Sequence, residues 1–127
     1  MVDEALDRAP SSFPVLGNRL KQTAGSLSGG EQQMLAVVRA YLTDPRLVLV
    51  DEASMGLAPL VVDGLFEFLA SIAKAGTALL IVEQHVSRAL ELADAVCLLN
   101  HGSVVFNGTS AGLNSEEIFE RYLGVEV

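Results

Sequence analysis

The first clear helical pattern along the chain starts at Ser28. Ser28 and Glu31 have the Ser-x-x-Glu spacing of a capping box, in which each side chain accepts a hydrogen bond from a backbone N–H of the other residue. Apolar residues then recur at three- and four-residue intervals as far as residue 42. Asp44 precedes Pro45, and a residue before proline is disfavoured in helical geometry. The pattern therefore predicts an amphipathic helix that begins at Ser28 and ends before Asp44.

Two apolar runs flank a second amphipathic pattern. Residues 47–50 and 77–82 show no polar alternation, which is typical of strands covered on both faces in a parallel sheet. Between them, Pro59 occupies a favoured first helical position, and Gly76 occupies a favoured position just after a helix. Strand, helix and strand at this spacing predict a right-handed parallel crossover unit.

The remaining residues predict smaller elements. A short helix is expected over residues 86–93. Residues 95–99 and 103–106 flank a turn of Asn100, His101 and Gly102 and predict an antiparallel hairpin, whose second arm ends at Asn107 and Gly108. Ser115 is expected to cap a last helix with two glutamates in its first turn. The fold class is therefore α/β, with a parallel sheet, helices and a C-terminal antiparallel hairpin.

Composition narrows the class of protein. Half of the 127 residues are apolar and the net charge is −8, which suits a globular domain and opposes broad electrostatic binding of nucleic acid. The single cysteine, Cys97, excludes an internal disulfide and is expected to be a buried, reduced core residue. No apolar run approaches the length of a transmembrane helix, and the acidic first residues do not form a secretory signal.

Ser28, Gly29, Gly30 and Glu31, here called the Ser-Gly-Gly-Glu turn, are the most specific candidates for chemistry. They place a hydroxyl and free backbone N–H groups at a helix N-terminus, where two glycines allow an anion to approach closely. The turn is therefore suited to a phosphate group. Taken alone, it is equally typical of an ordinary capped helix after a glycine-rich turn.

Two acids and one histidine follow the predicted strands. Asp51 and Glu52 come at the carboxyl end of the first strand, the edge at which open α/β sheets bind ligands. One acid could bind a metal ion through water, and the other could activate water. His85 follows the second strand, where a neutral imidazole could donate to a phosphate oxygen. Taken alone, such acids are more often solvated or capping residues, and such a histidine is more often structural.

Together these residues closely resemble the ATP-binding subunits of ABC transporters. Residues 27–31 (LSGGE) are similar to the signature motif of that family, residues 47–51 to its Walker B strand and residues 53–58 to its D-loop. The runs LSGGEQQ, DEASMGLAP and IVEQH look most like the importers of branched-chain amino acids. The resemblance implies a partial P-loop NTPase-like fold. Residues 1–45 would end its helical subdomain, and residues 46–127 would form the C-terminal part of a RecA-like ATPase core.

The resemblance also implies roles for the candidate residues. Two subunits of the family bind two ATP molecules head to tail, so the Ser-Gly-Gly-Glu turn would contact a nucleotide held by a second, identical or different, nucleotide-binding subunit. Asp51 would hold Mg²⁺ through water, Glu52 would polarise the attacking water, and His85 would contact the γ-phosphate. Membrane permease subunits would be the further partners. The subunit would be cytoplasmic and peripheral to the cell membrane through those permeases.

Some elements of the family are absent from these 127 residues. No Gly-x-x-x-x-Gly-Lys-Ser/Thr loop occurs, and neither do the glutamine loop and the upstream aromatic residue for adenine. The phosphate loop and its lysine supply most of the binding of a nucleotide. We therefore expect the chain alone neither to bind ATP measurably nor to hydrolyse it. Unpaired apolar strand edges are also expected to favour association of the chain with itself.

Three functions are compatible with the sequence. The first is an ATPase subunit, or part of one, that powers amino-acid uptake. The second is an ABC-type ATPase of DNA repair or translation, although the heptads of the coiled coils usual in such proteins are absent. The third is a non-catalytic module that lends its Ser-Gly-Gly-Glu turn in trans to a complete nucleotide-binding partner.

Overall fold

The computed structural model describes residues 14–118 and Glu120, which divide into two compact units, with Val82 ending the first and Glu83 beginning the second. The first unit contains a short 3₁₀ turn at Ala24–Ser26 and five regular elements: α1 (Pro14–Gly17), α2 (Gly29–Tyr41), β1 (Leu47–Asp51), α3 (Pro59–Lys74) and β2 (Ala78–Val82). The second unit contains four elements: α4 (Val86–Leu92), β3 (Ala95–Asn100), β4 (Ser103–Thr109) and α5 (Ser115–Ile118). The expectation about a secretory signal concerns residues outside the described range.

The predicted parallel crossover is confirmed in the first unit. β1 and β2 pair in parallel, with Leu47 opposite Ala78 and Asp51 opposite Val82, and α3 connects them. Pro59 is the first residue of α3, and Gly76 follows the helix with a φ of +98°. Proline supplies the φ angle that starts a helix and needs no N–H acceptor there, whereas glycine tolerates the left-handed geometry that ends one.

The core of the first unit lies between the sheet and the two long helices. One side of α3 is buried completely at Leu65, Leu69 and Ile72. The ring of Phe68 in α3 meets the ring of Tyr41 in α2 edge to face, with centroids 5.7 Å apart. The other buried apolar side chains of α2 and β1 complete this core: Met34, Val37, Val38, Val48 and Val50. Burial of these side chains is the main source of stability for the unit.

Only one face of the two-stranded sheet is covered within the described residues, so the expectation of strands covered on both faces is wrong here. Val48 and Val50 are buried, whereas Leu49 and Leu80 are 69% and 58% exposed. Partners in register on neighbouring strands point to the same face, and side chains alternate along each strand. The uncovered face, here called the open face, therefore carries four large apolar side chains: Leu47, Leu49, Leu80 and Val82.

The predicted hairpin is confirmed in the second unit, with two changes of boundary: Asn100 belongs to β3 and not to the turn, and β4 is longer than predicted. β3 and β4 are antiparallel, and His101 and Gly102 form the two-residue turn with φ angles of +47° and +78°. Two positive φ angles are typical of a type I′ turn, which matches the twist of the strands. β4 extends to Thr109 instead of ending at Asn107 and Gly108, because both of these residues still pair with β3.

Two further expectations for the second unit are wrong. Cys97 is exposed, because it lies on the outward-pointing positions of β3 and not in a core. Ser115 does not cap the last helix, because it already lies inside α5. The side chain of Asn114 takes the capping role, since its Oδ1 accepts a hydrogen bond from Glu117 N at 2.7 Å.

Candidate functional site

The Ser-Gly-Gly-Glu turn forms the predicted capping box at the N-terminus of α2. Ser28 Oγ accepts a hydrogen bond from Glu31 N at 3.4 Å, and Glu31 Oε2 accepts one from Ser28 N at 2.8 Å. Ser28 has extended backbone geometry, and Ser28 and Gly29 are exposed. The first N–H groups of a helix have no intrahelical acceptor, and the helix dipole adds positive potential there. The turn can therefore hold an anion.

The two glycines of the turn face different surroundings. A Cβ atom on Gly29 would meet no heavy atom within 4 Å, so this side of the turn is open to a ligand. A Cβ atom on Gly30 would lie 3.4 Å from Val61 Cγ1 in α3 and 3.6 Å from Leu57 Cδ2. Leu57 belongs to the loop that follows Glu52. The turn thus packs on one side against the segment that leads away from the paired acids.

Glu31 is the charged residue of the turn, and its carboxylate is well coordinated. Oε2 accepts two hydrogen bonds from Ser28, one from the backbone N–H and one from the hydroxyl, each at 2.8 Å. Oε1 lies 3.0 Å from Arg19 Nε. The backbone N–H of Ser28 lowers the pKa of Glu31 most, followed by the Ser28 hydroxyl. Desolvation raises this pKa, and the charge of Arg19 makes the smallest contribution, which lowers it. Glu31 is therefore a carboxylate at neutral pH.

We expect Glu31 to make the stability of the chain depend on pH. Its pKa in the folded state lies below the ordinary value of 4.5, so its contribution is present above that value and is lost as the pH falls through the folded-state pKa. Urea unfolding of the wild-type chain and of Glu31→Gln at about pH 7 and about pH 3 measures this. The stability advantage of the wild type over the variant should be larger at the higher pH. An equal difference at both pH values contradicts the assignment.

Asp51 and Glu52 lie at the carboxyl end of β1, as predicted. Asp51 is exposed and ends the strand, and Glu52 N still donates to Val82 O at 2.8 Å. Glu52 then adopts a left-handed φ of +46°, and its carbonyl oxygen accepts a hydrogen bond from Met55 N at 3.1 Å. A left-handed non-glycine residue costs about 1–2 kcal/mol, and such strain is concentrated at functional sites. The backbone therefore reverses sharply at Glu52.

The carboxylate at this end of the sheet suits a cation whose other ligands are phosphate and water oxygens. Within the described part of the chain, no group of three or more His, Cys, Asp or Glu side chains could hold a metal ion. Asp51 offers one exposed carboxylate. Mg²⁺ is commonly held by one or two carboxylates together with waters and substrate phosphates, so Asp51 fits that role.

His85 lies in the second unit and is exposed at the N-cap position of α4, where its side chain makes no capping hydrogen bond. Its contact with a phosphate stays a prediction. The sequence did not indicate Arg19 and Gln22 as neighbours of the turn. Arg19 Nη1 donates to Gln22 Oε1 at 3.2 Å, and Gln22 Nε2 donates to Ser26 O at 3.1 Å. Single charged and amide residues in a weakly patterned segment carry no signal for such contacts.

Known proteins with similar sequences belong to ABC transporters. The family model for ABC transporters matches residues 2–55. The chain is 41% identical over 120 residues to the high-affinity branched-chain amino acid transport ATP-binding protein BraG of Pseudomonas aeruginosa, covering 94% of this chain and 52% of BraG. It is 38% identical over 121 residues to the probable branched-chain amino acid transport ATP-binding protein LivF of Archaeoglobus fulgidus, covering 94% and 51%. The chain thus spans about half the length of these curated relatives.

Solved structures support the fold. A nucleotide-free ATP-binding cassette from an ABC transporter matches with a TM-score of 0.75 and 24% identity, covering 96% of this chain and 46% of that one. An ATP-binding subunit of an ABC transporter matches with a TM-score of 0.72 and 26% identity, covering 94% and 48%. The fold is therefore part of the P-loop NTPase fold of ABC ATPases.

Motif, fold and comparisons together make this chain similar to part of the ATP-binding family of ABC transporters. Within that family, BraG and LivF are both branched-chain amino acid transport ATP-binding proteins. Among the helices that the structure describes, none has the length and apolar character needed to span a membrane.

Proposed function

We propose that the chain is part of an ATP-binding subunit that powers an importer, with branched-chain amino acids as the transported class. The observation that carries this proposal is the Ser-Gly-Gly-Glu turn, an exposed helix N-terminus with an open glycine at Gly29. In its proposed role, the turn contacts the terminal phosphate of ATP bound by a second nucleotide-binding subunit. The relatives BraG and LivF support the transported class. Permease subunits are the proposed membrane partners, and they hold the subunit at the cytoplasmic side of the membrane.

The paired acids and His85 have the proposed catalytic roles. Asp51 holds Mg²⁺ through water, and Glu52 orients and polarises the water that attacks the terminal phosphate. Mg²⁺, when bound, neutralises charge on the phosphates. His85 donates to a terminal phosphate oxygen. The reversal of the backbone at Glu52 supports this assignment, because it directs the residue away from the strand at the ligand-binding edge.

A second candidate function is a module that acts only in trans. It is favoured by the exposure of the Ser-Gly-Gly-Glu turn, whose open Gly29 can be reached by a phosphate that another polypeptide holds. Under this alternative, the chain completes the site of a partner and does not hydrolyse ATP itself. In both cases the turn has the same role.

The proposed function predicts an ATP-dependent complex with a complete relative. The chain is mixed with full-length BraG made deficient in hydrolysis, and size exclusion with light scattering follows the complex as Mg-ATP is added. Ser28→Ala should raise the ATP concentration for half-maximal complex at least about tenfold, because a hydrogen bond to a charged group is lost. Ser103→Ala, an exposed serine on β4, is the matched control.

Two results would contradict the proposal. A wild-type chain that forms no ATP-dependent complex with the relative rejects the function in trans. A complex that forms equally well with Ser28→Ala rejects the role of the turn. The chain titrated with Mg-ATP in the absence of the partner completes the design, and the affinity there is expected to be weaker than about micromolar.

A further inference from the structure

The Ser-Gly-Gly-Glu turn places a negative charge directly beside the proposed phosphate site. Glu31 Oε2 accepts the hydroxyl proton of Ser28 at 2.8 Å, so the proton that Ser28 would donate to a phosphate is already donated to a carboxylate. A serine hydroxyl has a single proton to donate. A phosphate that approaches Ser28 therefore has to replace the carboxylate as acceptor, and it meets like charge when it does so.

Arg19 lies on the far side of the same carboxylate. Its Nε is 3.0 Å from Glu31 Oε1, the oxygen that Ser28 does not use. The Arg19 side chain is 44% exposed, whereas that of Glu31 is 16% exposed. Gln22 fixes the guanidinium by accepting from Nη1, and the backbone of Ser26 fixes Gln22 in turn. The two carboxylate oxygens therefore have separate partners, one in the turn and one in the preceding segment.

We propose that Arg19 is a positioning residue that compensates the charge of Glu31, so that the Ser28 hydroxyl can turn from the carboxylate to a terminal phosphate. This inference rests on the proposed function of the turn. When the hydroxyl leaves, Glu31 keeps the backbone N–H of Ser28 and the guanidinium of Arg19, so its charge stays partnered. Arg19 acts through Glu31 and does not itself contact the phosphate.

A purely structural role for the pair makes a different prediction. If the ion pair only braced the turn, removal of either partner would weaken phosphate binding equally, and removal of both would not restore it. If Arg19 compensates the negative charge of Glu31, the Glu31→Gln variant has no such charge and no longer needs Arg19. Glutamine also suits the capping box, so this variant keeps the turn capped while it removes the charge.

The first experiment measures the ATP-dependent complex with hydrolysis-deficient full-length BraG. Arg19→Gln should raise the ATP concentration for half-maximal complex about fivefold, the scale expected of a partly exposed charge pair. Glu31→Gln should not raise it, and the double variant Arg19→Gln/Glu31→Gln should match Glu31→Gln alone. Arg88→Gln is the matched control, because Arg88 is 45% exposed and lies 3.3 Å from Glu91 in the second unit. It should leave the half-maximal concentration unchanged.

The second experiment separates this inference from the proposed function. The chain labelled with ¹⁵N is titrated with inorganic tripolyphosphate, without nucleotide or partner, and the amide signals of Ser28, Gly29 and Gly30 are followed. Arg19→Gln should weaken the affinity about fivefold, and the double variant should restore it. If this pattern appears while the wild type forms no complex with BraG, the proposed function fails and the role of Arg19 stands. No shift with tripolyphosphate, no effect of Arg19→Gln, or equal weakening by Glu31→Gln overturns the inference.

Discussion

Replacement of Leu69 by alanine is expected to lower the free energy of unfolding of the first unit by about 2–5 kcal/mol. Leu69 is completely buried on the core side of α3. Its truncation removes apolar contacts with the sheet and leaves a cavity that a close-packed interior only partly refills. Since a small domain is stable by only about 5–15 kcal/mol, this loss is a large part of the free energy of unfolding. Thermal unfolding followed by circular dichroism should show a midpoint lower by about 15 °C.

Leu60→Ala on the same helix provides the matched control. Leu60 is 84% exposed, so the same change of residue removes little buried surface. Substitutions at exposed positions usually change stability by less than about 0.5 kcal/mol. If Leu69→Ala and Leu60→Ala lowered the free energy of unfolding by similar amounts, the core of the first unit would not lie on the side of α3 that the structure shows.

The long elements could be predicted from the sequence because each has local start and stop signals. Pro59 and Gly76 bound α3, and Ser28 begins α2 through a capping box formed within four residues. Side-chain periodicity then identifies the buried side of each helix. Capping in the second unit was predicted less well, because Asn114 and Ser115 are adjacent and both residue types are good caps.

Burial of the sheet could not be predicted in the same way. An unbroken apolar run such as residues 47–50 indicates strands with apolar side chains on both faces, but it does not indicate what covers each face. The described helices cover Val48 and Val50 and leave Leu49 exposed. The exposure of Cys97 has a similar origin, since an apolar strand can lie at a surface.

The candidate site could be predicted only where it is local in sequence. The capping box and the two acids at the carboxyl end of β1 were identified from short motifs, and the structure places them at element ends. The contact of Arg19 with Glu31 and the packing of Gly30 against Val61 join residues that are distant in sequence. Such contacts depend on how α1 and α3 lie against α2, which no local pattern specifies.

The open face is expected to drive association of the chain with itself. Its four apolar side chains, Leu47, Leu49, Leu80 and Val82, are all more than half exposed and lie on two strands paired in register. Contiguous apolar surface of this kind marks an interaction site, and unpaired strand edges add to the tendency. Each leucine that passes from half exposed to buried contributes about 1 kcal/mol to association.

Two lysines on this face should convert the associated chain into a monomer. Leu49 and Leu80 are direct partners across β1 and β2, so Leu49→Lys/Leu80→Lys places two like charges at the centre of the open face. Because burial of two ammonium groups of like charge is costly, the associated state should be lost, as measured by size exclusion with light scattering at equal protein concentration. Leu60→Lys adds the same side chain at an exposed position on α3 and should leave the association unchanged. A wild-type chain that is monomeric, or a double variant that associates as strongly as wild type, contradicts the assignment of the open face, because in either case burial of Leu49 and Leu80 contributes nothing to association.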